Sequence, residues 1–176
     1  MPLRRLFRSL VCLLALLPAA AGAAFAQQAV PEHELKAAFI YNFIQFTQWP
    51  KGGDGAAVNV CANRDSVLFA ALQAIAGKLA NGRPIVLQAL PEARPEMCHV
   101  LVATEPDRAQ MAALMQAIGA APVLTVTDDA ELIRHGLMIG MVVDAGRMAF
   151  IVDNTRASRV GLSISSRLLR LARSVQ

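Results

Sequence analysis

The side chains able to do chemistry are few and scattered. Three histidines, His33, His99 and His135, stand far apart in the chain. Neither His99 nor His135 has an obvious partner in the sequence. Ser163, Ser165 and Ser166 crowd into one SISS run, where hydroxyls near a turn usually bond backbone. Asp128, Asp129 and Glu131 resemble a carboxylate cluster, but a capped helix start accounts for them better. No GxSxG, HExxH, GxGxxG or phosphate loop is present. Cys61 and Cys98, the latter followed by His99, lack the CxxC or HxxxH spacing of a zinc site. The sequence calls for no catalytic residue, no metal and no cofactor.

The first residues decide how the cysteines are read. Arg4, Arg5 and Arg8 precede a short apolar run from Leu10 to Leu17, and Ala24-Phe25-Ala26 reads as a small-x-small cleavage signature. That is the pattern of a secretory leader over residues 1–26, too short in its apolar run to span a bilayer. Cys12 falls inside it. Residues 27–176 then read as one exported domain, long enough for a proper core. Three of the 17 basic residues and none of the 13 acidic ones belong to the leader, which leaves a net charge of +1. So balanced a chain lacks the basic surface that nucleic acid requires. In an oxidising compartment the remaining pair, Cys61 and Cys98, reads first as one disulfide, with free thiols or a metal as the alternatives. Such a bridge would close a loop of roughly forty residues. Both thiols reduced would leave a looser domain.

Aromatic residues concentrate in one stretch, LKAAFIYNFIQFTQWP, from Leu35 to Pro50. Base stacking would need basic neighbours, and only Lys36 and Lys51 are near. A membrane-surface helix would need Lys and Arg on its polar face, where this one offers Asn42, Gln45, Thr47 and Gln48. Leu35, Phe39, Phe43 and Phe46 recur at helical spacing and predict a core-facing stripe. Tyr41 and Trp49 fall off that stripe. Their amphipathic rings make them candidates for a partner surface.

The elements that position these residues alternate along the chain. The pattern predicts a helix from Pro31 towards Pro50, closed by Gly52-Gly53, and a strand over Val58 to Ala62. A helix from Ser66 to Leu79, with Asn81-Gly82 as its exit, and a strand from Pro84 to Leu90 follow. Pro91 and Pro95 mark a loop. Then come a strand over Cys98 to Ala103, a helix over Asp107 to Ile118 and a strand over Val123 to Val126. A short helix capped by Asp128 runs to His135. The run GLMIGMVVDAGRMAFIVDN reads as a hairpin turning at Asp144-Ala145-Gly146, and Thr155 to Val175 as a last helix. Alternation of this kind implies parallel pairing, and the hairpin must add antiparallel strands. The expected fold is a three-layer α/β sandwich. Its sheet is mixed and mainly parallel, with a C-terminal β-hairpin and helices on both faces. One geometrical tension remains: Cys61 near the end of one strand and Cys98 at the start of another must be brought together by an offset.

Four segments together resemble the YfiR family of periplasmic proteins. They are LKAAFIYNFIQFTQWP, VNVCANRD with GRPIVLQAL and CHVLVA, PVLTVTD, and GLMIGMVVDAGRMAFIVDNTRASRVGLSISSRLLRLA. The likeness runs from Leu35 to Ala172. It departs at Leu137, where a second glycine is usual, at Asp153, often asparagine, and at Asn63, commonly glycine. One cysteine pair is present where some members carry two. The resemblance implies a non-enzymatic periplasmic repressor, redox-stabilised by its cysteines and dimeric. It would bind the periplasmic region of an inner-membrane diguanylate cyclase and be sequestered by an outer-membrane lipoprotein. The partner-binding candidates are Tyr41, Trp49, Arg147, Arg156 and Arg159. A ligand-binding or adaptor module for another receptor, such as a sensor kinase, is the alternative, and a hydrolase is the third reading.

Overall fold

Helix α1 (Glu32–Gln45) begins behind Pro31, with Glu32 and Glu34 in its first turn where the helix dipole favours acids. This and all that follows comes from a computed structural model that describes residues 30–50, 55–90 and 92–176. The leader, the Gly52-Gly53 stop and Pro91 lie outside the described residues. After α1 come β1 (Thr47–Gln48), β2 (Val58–Asn63), α2 (Val67–Leu72), β3 (Leu79–Ala80), β4 (Arg83–Leu90) and β5 (Val100–Ala103). Then follow α3 (Met111–Ile118), β6 (Leu124–Thr127), α4 (Ala130–Arg134), β7 (Ile139–Asp144), β8 (Arg147–Val152) and α5 (Asn154–Arg159). The chain closes with β9 (Ser163–Ile164), α6 (Ser166–Leu169) and β10 (Ser174–Val175).

The main sheet has eight strands in the order β10-β8-β7-β6-β5-β2-β4-β3. β4, β2, β5, β6 and β7 run parallel. β8 returns antiparallel to β7, and β3 lies antiparallel to β4. Side chains alternate between the faces as the pleat requires. Val58, Val60 and Ala62 of β2, with Val100, Val102, Leu124 and Val126, pack under α1 and α2. Cys61 and Leu101 point the other way, to Ile118 and Val123 beside α3. β5 and β6 are buried along their whole length, as parallel strands covered on both faces must be. The expected three-layer sandwich with a mixed sheet and helices on both faces is the observed fold. Ile40, Phe43 and Ile44 of α1 are fully buried. Phe43 and Phe39 meet Phe150 of β8 at centroid distances of 5.0 and 6.1 Å. Five rings in one stretch are there mainly to fill this layer.

Four elements differ from expectation, the first being the helix read over Asp107 to Ile118, which is α-helical only from Met111, behind a 3-10 helix over Glu105–Gln110. The last helix is broken in two. α5 ends where Gly161 takes a φ of 81°, and Ser163 and Ile164 then pair with Gln48 and Thr47. Ser165 caps the short α6 through its hydroxyl, and Ser174–Val175 joins the sheet beside β8. Apolar spacing continues through this region because Leu162, Ile164 and Leu168 are all buried, although only Leu168 is helical. The helix after Ser66 is also shorter: α2 passes into a 3-10 turn over Gln73–Ile75. Asn81 and Gly82, both at positive φ, form the tight turn of a β3–β4 hairpin rather than a helix exit. Finally, Asp129 rather than Asp128 caps α4, accepting from the Glu131 N–H at 2.8 Å.

Candidate functional site

In doubly wound sheets ligands bind outside the carboxyl ends of the strands, where the strand order reverses. Here that point lies between β2 and β5. The connection from β4 to β5 must cross there, and its described residues form a 3-10 turn over Pro95–Met97 and no α-helix. A disulfide between Cys61 and Cys98 ties this crossover to the sheet, with Cα atoms 6.0 Å apart. Register opposes Cys61 to Leu101. Cys98 reaches it because the residue precedes β5 and leaves the Pro95–Met97 turn free of strand geometry, which resolves the offset that the sequence demanded.

Side chains around the crevice bond one another. Asn63 at the end of β2 donates from Nδ2 to the Asp107 carboxylate at 3.1 Å. Asp107 also accepts the Thr104 N–H at 2.8 Å and the Thr104 hydroxyl at 3.2 Å, forming a capping box. Next to it Arg108 holds Asp129, whose side chain is buried, with NH2 to Oδ1 at 2.9 Å. The Arg108 hydrogen bond, against the cost of burial and aided by backbone N–H groups, keeps the Asp129 carboxyl below the usual range. Lys36 bridges Asp128 at 2.8 Å and Glu32 at 2.7 Å. Burial works against its ammonium, but the bonds to Asp128 and Glu32 outweigh it and raise its pKa. Lys36 in turn lowers that of Glu32. These charges hold one another; they do not converge on an open space.

The histidines occupy separate places. His33 lines a groove beside α1, and His135 ends α4. His99 accepts the Asn59 N–H on Nδ1 at 3.1 Å and sits edge-on to Trp49 at 5.8 Å. Among the described residues no group of three His, Cys, Asp or Glu side chains could hold a metal ion.

Of the five partner candidates, Trp49 is misplaced by the sequence reading. It is 8% exposed and belongs to the core, its indole N–H reaching the His99 carbonyl at 3.3 Å and the Arg83 guanidinium lying 5.6 Å over its ring. It left the α1 stripe because α1 ends at Gln45 and β1 redirects the chain inward. Tyr41 is half-buried, and its hydroxyl donates to the Leu79 carbonyl at 2.9 Å. Arg147 is exposed at the hairpin end, opposite Asp144 in register. Arg156 is half-buried near Asp153, its backbone N–H on that cap at 2.7 Å, and its guanidinium lies against Gly136. Arg159 is exposed at the end of α5. The four candidates other than Trp49 sit on three elements, α1, β8 and α5.

The sequence reading missed a groove of about 500 Å³ between α1 and α2 with its 3-10 extension. One wall is Val30, His33, Glu34, Ala37, Ala38 and Tyr41; the other is Val67, Ala70, Ala71, Ala74, Ile75 and Lys78. Both walls follow helical spacing, so the signal was present, but alanine at such positions reads equally well as ordinary helix packing. No helix among the described residues is long and apolar enough to cross a membrane.

The chain is a doubly wound α/β domain whose α1–α2 face carries a groove. Residues 33–173 match the family described as YfiR/HmsC-like, and the chain belongs to that family. No curated protein matches it. Among solved structures it is similar to a conserved domain protein from Vibrio cholerae O1 biovar El Tor, with a TM-score of 0.56 at 13% identity. That similarity covers 84% of this chain and 61% of the Vibrio chain, and it bears on the fold alone.

Proposed function

We propose that this protein is a periplasmic repressor of cyclic di-GMP synthesis. It binds the periplasmic region of an inner-membrane diguanylate cyclase and holds the enzyme's inactive state, without catalysis of its own. The observation that carries this reading is family membership from His33 to Arg173, nearly the whole described chain. The leader-like first 26 residues and a disulfide suited to an oxidising compartment support it. A repressor works by differential affinity: a preference of about 3 kcal/mol for the inactive cyclase shifts its equilibrium roughly a hundredfold. The protein acts as a homodimer, and an outer-membrane lipoprotein relieves repression by sequestering it. Tyr41, Arg147 and Arg159, each with accessible surface, remain the contact candidates.

The test is cellular cyclic di-GMP with the gene present, deleted, and restored with or without residues 1–26. A rise on deletion that only the exported form reverses supports the repressor. An unchanged level refutes it and favours an adaptor for another receptor, such as a sensor kinase, to be sought by co-purification from membranes.

A further inference from the structure

The two edges of the main sheet are finished differently. At one, β10 lies beside β8, Arg147 is exposed at the hairpin end, and Arg173 pairs with Asp144 at 3.4 Å. Charges and a short covering strand are ordinary guards against another chain pairing there. At the other edge, β3 covers only the start of β4, where Leu79 and Ala80 pair with Pro84 and Arg83. The chain joins this edge at Gly77, through a φ of 77°. The Gly77 N–H donates to the Ile85 carbonyl at 2.8 Å, and the Lys78 carbonyl accepts the Ile85 N–H at 2.9 Å. Beyond that rung β4 runs on uncovered. Ile85 turns both its backbone groups away from β2, and the Ala89 carbonyl does the same, accepting the Ala93 N–H at 2.9 Å. Leu87 lies midway, so by the two-residue period of a strand its N–H and carbonyl also point outward. Among the described residues neither group has a partner, and the Ala89 N–H has none either.

None of the usual guards is present on this stretch. Residues 85–90, IVLQAL, carry no charge and no proline, and they keep one-to-one register with β2, without a bulge. Val86 is 40% exposed, and Leu79, on the strand whose line runs along this edge, is 60% exposed. The unpaired groups specify their own complement. A residue in a neighbouring strand supplies one acceptor and one donor at the spacing of the Leu87 N–H and carbonyl. We infer that the outer edge of β4 is a docking site for an extended segment of a partner protein, which adds to the sheet as a further strand. Running antiparallel to β4, the added strand continues the line of β3, and its C-terminal end meets Gly77 and Lys78. Lys78 is exposed there, with its ammonium 5.7 Å from the Tyr41 ring and in no ion pair among the described residues. The segment that fits is therefore uncharged and β-branched along its length, with a carboxylate at its C-terminal end. The site requires neither a cyclase nor a second copy of the chain, so it stands apart from the repressor reading.

The experiment is amide hydrogen exchange by NMR on the exported chain, residues 27–176, titrated with the peptide acetyl-Thr-Val-Thr-Val-Thr-Val-Glu-amide. In the free chain the Leu87 amide should exchange fast, while those of Val86 and Gln88, turned towards β2, should be protected. Saturating peptide should slow Leu87 by roughly tenfold or more and leave Val86 and Gln88 unchanged. Methylating alternate amide nitrogens of the peptide gives two probes. One should lose binding and the other keep it, because only one row of amides faces β4. Leu87→Pro removes the outward donor without touching the β2 ladder, so melting should stay cooperative and the peptide should bind roughly tenfold more weakly. If that variant misfolds, the two methylated peptides on wild type still decide. Replacing the peptide's glutamate by lysine should weaken it roughly threefold, and less so in high salt. A Leu87 amide already slow in the free chain at every concentration would show that the chain covers its own edge. Slowness that grows with protein concentration would assign the edge to a second copy. Either result overturns the inference, as does a peptide that fails to bind at millimolar concentration or binds equally whichever row is methylated.

Discussion

Replacing Cys61 and Cys98 together by alanine should lower the melting temperature by about 10 °C. The bridge spans a sequence separation of 37. Loop-closure entropy at that length gives about 4 kcal/mol of stabilisation through the unfolded chain. For a domain of this size each kcal/mol moves the midpoint by about 2–4 °C. Alanine is preferred to serine because both sulfurs are buried, and a hydroxyl there would add an unsatisfied group to the loss. The assay is far-UV circular dichroism during heating, on wild type with and without reductant and on the double variant. Wild type in reductant and the double variant should melt close together. A fall of less than about 3 °C in the double variant would refute the reasoning, since loop closure alone predicts several times that.

The position of the bridge adds a kinetic expectation. Cys61 is fully buried and Cys98 nearly so, beneath Leu90, Ile118 and Val123. A thiol reductant must wait for the crossover to open, so native-state reduction should quicken steeply in mild denaturant. A rate insensitive to denaturant would show that the sulfurs are reached without opening.

Further outcomes follow from single contacts. Asp129→Asn keeps the α4 cap but loses the Arg108 pair; with Arg108 half-exposed and solvent-screened, chemical denaturation should show a cost of about 1 kcal/mol at neutral pH. Because the folded carboxyl titrates below its unfolded value, that cost is present above the ordinary aspartate range and should vanish as pH falls through the folded pKa; a constant difference would exclude the pair as its source. Gly140→Ala puts a methyl 2.5 Å from two Ile133 carbons and should cost about 2 kcal/mol by denaturant titration, with no loss meaning that α4 shifts freely. Asn81→Gly keeps the left-handed turn but removes bonds to the Ile44 and Thr47 carbonyls, at 3.2 and 3.1 Å, and should also cost about 2 kcal/mol; an unchanged denaturation midpoint would show those bonds contribute nothing.

The central strands were legible because burial on both faces leaves an unmistakable signature: VLVA and LTVT are hydrophobic or β-branched throughout. The phenylalanine stripe was legible from its helical spacing for Phe43, which is fully buried, and for Phe39 and Phe46, which pack beside it, but Leu35 at its head is 37% exposed. Legibility failed where a tertiary contact chose between two local readings. Ser163–Ile164 is a strand only because Thr47–Gln48 is there to pair with it. Asn81-Gly82 suits a helix exit and a hairpin equally, and the asparagine decides it by capping α1 from a distance. Trp49 carries no local mark of burial; the His99 carbonyl and the Arg83 guanidinium that cover it are remote in sequence. Asn63 could be noticed but not interpreted until Asp107 appeared across the crevice.

That last contact links fold to function. A doubly wound sheet places its natural ligand site at the reversal of strand order, and a glycine there leaves room for a ligand or a backbone to approach. Here Asn63 does three jobs instead. Its amide donates to Asp107, its carbonyl oxygen accepts the Asp65 N–H at 3.0 Å, and its backbone carbonyl receives the Ser66 hydroxyl that starts α2. These bonds hold α2 and the segment before α3 to the end of β2. What α2 gains in fixity it presents outward, as one wall of the groove. The Asn63 contacts at the strand ends and the groove on the outer side of α2 are thus joined through one short helix.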